Sequence, residues 1–144
     1  MLSVFEVAKY FLSLVDEDEG ELMSHLKLQK LVYYAQGFHL AVFDAPLFPE
    51  KIKAWTHGPV VPELYNEYKR YGNMPIPAIS DIDLSQYTEE VKGLLDEIYD
   101  VYGQYSAWKL ANLTHEEPPY TQTLPNQEIR LDLMRDYFQT QINK

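Results

Sequence analysis

The sequence predicts a mainly α fold, a single compact domain of about five to six helices over residues 1–144, with a small strand or hairpin element near residues 51–57. Three observations carry this. Apolar residues recur at three- and four-residue spacing through most of the chain, the period of a helix face. The stretch from Leu26 to Val42 is apolar on two sides, so that helix must lie between neighbours. Strict alternation is confined to Lys51–Trp55, where charge and bulk exchange places as in a half-exposed strand.

Ser3 opens the first helix, its hydroxyl capping the end while Glu6 reaches back to complete a capping box. Val4, Val7, Ala8, Phe11, Leu12 and Val15 form the side that packs on the central helix. The acidic run Asp16–Glu21 ends it, because carboxylates near a helix C-terminus oppose the dipole. That run lacks EF-hand ligand spacing and reads as a solvated loop.

In the central helix, Leu28, Leu31, Val32, Ala35, Phe38, His39 and Val42 form one broad apolar face. Leu26, Tyr33 and Leu40 form a second line on nearly the opposite side. What is left is a narrow stripe of Lys27, Lys30 and Tyr34, continued by Gly37 and Ala41. The plainer reading of this stripe is a solvated edge where small residues allow close helix packing. The sharper one is a contact face, two cations and an aromatic around a shallow floor.

After the strand, Thr56, His57, Gly58 and Pro59 turn the chain sharply, leaving Trp55, His57 and Gly58 at a corner. Pro62 suits the first turn of a new helix, where its missing N–H costs nothing. Leu64, Tyr65, Tyr68 and Tyr71 follow on one side up to Gly72; these tyrosines read as core, or alternatively as an amphipathic contact surface. Asn73–Tyr87 is a loop in which Pro75 and Pro77 allow at most a short edge pairing with Lys51–Trp55. Thr88 caps a helix with Val91, Leu94, Leu95, Ile98 and Tyr102 inward, closed by Gly103. Ser106 opens a shorter helix whose bulk is Trp108 and Leu110–Leu113, stopped by Pro118 and Pro119. A last helix, from about Asn126 to Thr140, offers Ile129, Leu133, Met134, Tyr137 and Phe138 to the body.

Composition excludes several functions. Twelve Lys and Arg against 22 Asp and Glu give a net charge of −10, which repels a polyanion and argues against direct nucleic-acid binding. The charge is uneven: His25–Gly72 carries +2 and the remainder −12, a distribution suited either to steering a basic partner or simply to solubility. There is no cysteine, hence no disulfide or thiolate metal site, as a reducing cytoplasm would favour. No apolar run is long enough for a membrane span and no leader pattern opens the chain, so the expectation is a cytoplasmic protein. Of the four histidines, His39 reads as a satisfied core group, whereas His57 and His115 sit at chain corners and could approach one another, bonding backbone of tight turns. Zinc-protease spacing, phosphate-binding glycine loops and nucleophile elbows are all missing, so neither enzyme nor cofactor is expected.

The run LKLQKLVYYAQGFHL from Leu26, then PLF, then IKAWTHGPVVPELYNEYKRYG, resembles the Panacea domain, also called the SocA-like or phage-associated antitoxin family. LTHEEPPY at Leu113–Tyr120 is similar to that family's C-terminal signature, with Tyr120 where tryptophan is more usual. The resemblance implies a helical antitoxin of bacteria or their phages that neutralises a cognate protein toxin, encoded by an adjacent gene, by direct contact. For some members it implies instead an adaptor that delivers the toxin to a protease. A small hydrolase or metal protein is the remaining alternative. The candidate partner-binding residues are Trp55, His57, Gly58 and Pro59 at the corner, Lys27, Lys30 and Tyr34 on the helix stripe, and His115, Glu116 and Glu117 in the C-terminal block.

Overall fold

A helix that is apolar on two sides must be covered on two sides, and the segment His25–Phe43, helix α2, is covered on nearly all of them. In the computed structural model, which describes residues 1–142, 13 of its 19 residues are buried. Ser24 caps it, accepting from the Lys27 amide, and Asp44 ends it in a left-handed conformation. Around it stand α1 (Val4–Leu14), the hairpin β1 (Lys53–Trp55) and β2 (Gly58–Val60), and α3 (Pro62–Tyr68). The shell is completed by α4 (Glu89–Tyr102), α5 (Ala107–His115) and α7 (Leu131–Ile142). A single-turn helix α6 (Pro118–Thr121) brings the helices among the described residues to seven. One apolar core runs through all of this, from Val4 to Phe138.

The N-terminal reading holds residue by residue. The Ser3–Glu6 capping box is formed in both directions, and the six residues expected to face the core, from Val4 to Val15 just past the helix end, are all buried. Pro62 begins α3, Thr88 caps α4 and Ser106 caps α5. Pro118 and Pro119 stop α5 but start α6, because a proline in a first helical turn withholds only an N–H that would have no partner.

Elsewhere the structure departs from expectation. The partner of β1 is β2, in antiparallel register Lys53 with Val60 and Trp55 with Gly58, and not the loop around Pro75–Ile79; Ile76 pairs instead with Met23. The last helix begins only at Leu131, since the chain first turns at Asn126, whose φ is +67°, and then bridges β1 at Glu128, with Asn126, Gln127 and Ile129 exchanging backbone bonds with Ala54 and Ile52. Trp108 is 63% exposed, so Leu110 and Ala111 carry the packing of α5. Val42 is exposed and His39 half-exposed, the imidazole Nδ1 meeting the Ala45 carbonyl at 2.6 Å, because the broad face of α2 runs out of neighbours near its end.

The helix stripe is neither a solvated edge nor an open contact face. Lys30 and Tyr34 have no exposed surface, and Gly37 and Ala41 are buried with them. The reason is α7: the Phe138 ring lies directly on Gly37, where an added methyl would sit 2.1–2.8 Å from ring carbons. Phe138 also meets Tyr33 and Tyr34 edge-on, at centroid distances of 5.5 and 5.9 Å. Gly37→Ala should therefore destabilise the fold by about 2–3 kcal/mol despite alanine's better helix propensity. Urea unfolding measures it, and the double substitution Gly37→Ala/Phe138→Leu should lose less than the two single losses added together.

Candidate functional site

Buried polar side chains on α2 hold the hairpin in place. Gln29 Oε1 accepts from the Val61 amide at 2.9 Å, and Lys30 Nζ donates to the Pro59 carbonyl at 2.9 Å. One helical turn along, the Tyr33 and Tyr34 hydroxyls donate to the two carboxylate oxygens of Glu117, at 3.0 and 2.9 Å. From the other side His115 Nε2 meets the Thr56 carbonyl at 2.9 Å, and the Tyr120 hydroxyl donates to the Trp55 carbonyl at 2.6 Å. Helix α2, the hairpin and the α5–α6 corner thus meet at one junction.

Gly58 sits at its tightest point. Its φ is +113°, and a Cβ there would stand 2.8 Å from both Lys30 Cε and Thr114 Oγ1. Any side chain would be strained by its backbone and would collide with the lysine. Lys30 makes no ion pair among the described residues, and burial draws its pKa down to about 7. Glu117 shows the opposite shift. Burial pushes its carboxyl up to about 7, outweighing the two tyrosine hydroxyls that favour the ionised form. Tyr34 is in turn stacked on Tyr102 of α4, with centroids 4.0 Å apart.

The ten candidate residues divide by exposure. Lys30, Tyr34, Gly58 and Pro59 are buried, and Glu117 and His115 are half-buried with their polar atoms bonded inward. Trp55 is half-buried, and His57 and Glu116 are exposed. Lys27 belongs elsewhere: its Nζ donates to the Gly103 carbonyl at the end of α4. His57 and His115 flank the same turn but do different things, His57 packing edge-on against Trp108 with centroids 5.7 Å apart. Among the described residues no three His, Asp or Glu side chains gather as a metal cradle.

Beside the junction lies an open groove of about 540 Å³, walled by His25, Leu26, Trp55, His57, Val60 and Tyr65. Trp55 and His25 both pack on Tyr65, each with centroids 5.3 Å apart. Among the described residues no Asp, Glu, Lys or Arg lines it. Sequence reasoning missed His25 and the groove face of Tyr65. His25 is the first residue of α2, where no periodicity marks it, and the tyrosine stripe reads equally as core. Tyr68 is core, whereas Tyr65 is 40% exposed.

The family model for the SocA-like antitoxin, Panacea domain, matches residues 28–120, well over half of the chain. The chain belongs to the SocA-like antitoxin family. No curated protein and no solved structure matches it. The match begins inside α2 and ends in α6, so the Panacea domain's matched stretch contains the whole junction, while α1 and α7 lie outside it. Three separated blocks of the Panacea sequence, KLQKLVYY, WTHGPV and THEEPPY, are the ones these hydrogen bonds draw together.

Glu117 leaves a signature in the stability of this Panacea domain. Its folded pKa lies above the usual carboxylate value of 4.5, so between pH 4.5 and about 7 the folded state binds more protons than the unfolded one. Its contribution is therefore complete below pH 4.5 and is lost as the pH rises through 7. Glu117→Gln, which stays neutral beside Tyr33, Tyr34, Tyr102 and Tyr137, should gain stability relative to the parent as the pH is raised from 5 to 8. Urea midpoints across that range check it, and parallel curves would show that the Glu117 carboxyl is ionised throughout that range in the folded state as it is in the unfolded one.

Proposed function

We propose that the domain neutralises its toxin by binding it directly, through the groove and hairpin tip beside the junction. The observation that supports this most is the lining of the groove: aromatic and uncharged, in a chain with 34 charged side chains and a net charge of −10. Charge depletion with aromatic enrichment is the composition of a buried interface centre. A rigid floor makes it a better binding surface, because little order remains to be imposed on association. Lys30, Gly58, Tyr34 and Glu117 fix the hairpin and the corner beside the groove, while Trp55 and His57 present the surface. The acidic remainder of the chain would steer a basic toxin towards encounter without entering the groove.

The test is co-expression with the toxin-like product of the adjacent gene. The intact chain should restore growth and co-purify with that product, and the toxin's lifetime should be unchanged, which separates sequestration from delivery to a protease. Trp55→Ala combined with His57→Ala should weaken the complex by about 2 kcal/mol or more, some thirty-fold, if these side chains are central anchors. Rescue that persists undiminished in this variant, with a normal unfolding curve, would move the interface elsewhere. No rescue by the intact chain against any neighbouring product would sink direct neutralisation.

A further inference from the structure

Gln29 settles the protonation of His25. Its Oε1 accepts from the Val61 amide, so its amide nitrogen is the atom 3.0 Å from His25 Nε2. That nitrogen can only donate, hence Nε2 accepts and the neutral ring carries its proton on Nδ1. Burial, with a smaller effect from Lys30, holds the imidazole neutral by drawing its pKa down to about 4. Nδ1 has no hydrogen-bond partner among the described residues, yet no buried side-chain nitrogen or oxygen there is left unpaired. The Nδ1–H is therefore not fully enclosed, and His25, only 7% exposed, is one of the residues lining the groove. It is a fixed, neutral donor on an aromatic wall.

Resting on the direct-binding reading, we propose that the groove receives an uncharged, apolar stretch of the toxin chain, one of whose main-chain carbonyls accepts the His25 Nδ1–H. Charge decides against the other occupants. Among the described residues that line the groove there is no carboxylate to receive a cation and no lysine or arginine to receive an anion. A buried carbonyl suits the single neutral donor, and apolar side chains suit Leu26, Val60 and the faces of Trp55 and Tyr65. The groove is open, as a peptide running across it requires.

A phage-displayed random-peptide library panned against the full chain tests this without the toxin. Enriched sequences should share a short apolar run free of Asp, Glu, Lys and Arg, and should not bind the Trp55→Ala variant. Thr56 is an exposed residue lining the groove whose side chain makes no hydrogen bond among the described residues, so Thr56→Lys and Thr56→Glu should each weaken an enriched peptide about ten-fold. His25→Phe keeps a ring against Tyr65 but removes the donor, and should cost about five- to ten-fold. Opposite effects of the two Thr56 variants, enriched peptides dominated by one sign of charge, or no enrichment over Trp55→Ala would overturn the proposal. The two readings fail separately. Peptides that behave as expected beside a toxin that is not neutralised would sink direct neutralisation alone. Growth rescue that survives every groove variant would sink the groove alone.

Discussion

The structure depends on the satisfaction of backbone groups that the chain between Leu47 and Val61 buries against α2. A loop and a two-strand hairpin cannot saturate their own amides and carbonyls, and an unpaired buried one costs about 1–3 kcal/mol. Helix α2 answers with side chains. Gln36 bonds the Leu47 amide and the Phe48 carbonyl, Gln29 the Val61 amide, and Lys30 the Pro59 carbonyl. Two glutamines seven residues apart lie on one line of the helix, so a single rigid element holds both ends of the segment. Among the described residues no buried side-chain nitrogen or oxygen lacks a partner.

Everything around the hairpin follows from that anchoring. Its turn approaches α2 so closely that only glycine fits at 58, and the lysine beneath gives up solvation for a single carbonyl bond. The α5–α6 corner closes the other side by the same device, with His115 and Tyr120 capping the carbonyls of Thr56 and Trp55. Glu117, turned inward between Tyr33 and Tyr34, ties that corner back to α2. The hairpin tip is thus gripped from two sides while one face of it stays open.

Charge is partitioned on the same plan. The block from His25 to Gly72, which builds α2 and the hairpin, is nearly balanced, whereas the rest of the chain is strongly acidic. Salt bridges among the described residues are few, and apart from Lys92 with Glu89 they are solvent-exposed, where water screens them to little net effect. The fold therefore gains little from its charges. Their effect is on the field around the molecule, and the groove itself is kept out of it.

The helices, their caps and the existence of a strand near Lys51–Trp55 were legible in the sequence, because each depends on spacing and on residues within one turn of each other. The capping box of Ser3 and Glu6 and the proline at the start of α3 are local facts. The partner of β1, the turn at Asn126 that lays Gln127–Ile129 against β1 and the exposure of Trp108 were not legible, since each depends on what stands opposite in space. The stripe of Lys27, Lys30 and Tyr34 shows the limit most clearly. Sequence periodicity placed the three on one line, but a lysine is assigned to solvent by default, and only tertiary structure supplies the carbonyl of Pro59, the phenyl ring of Phe138 or the carbonyl of Gly103. The sequence determined most of the apolar faces and where α1, α3, α4 and α5 start. The packed chain decided which polar groups are buried, because a buried hydrogen bond needs two partners and the second lies far away along the chain.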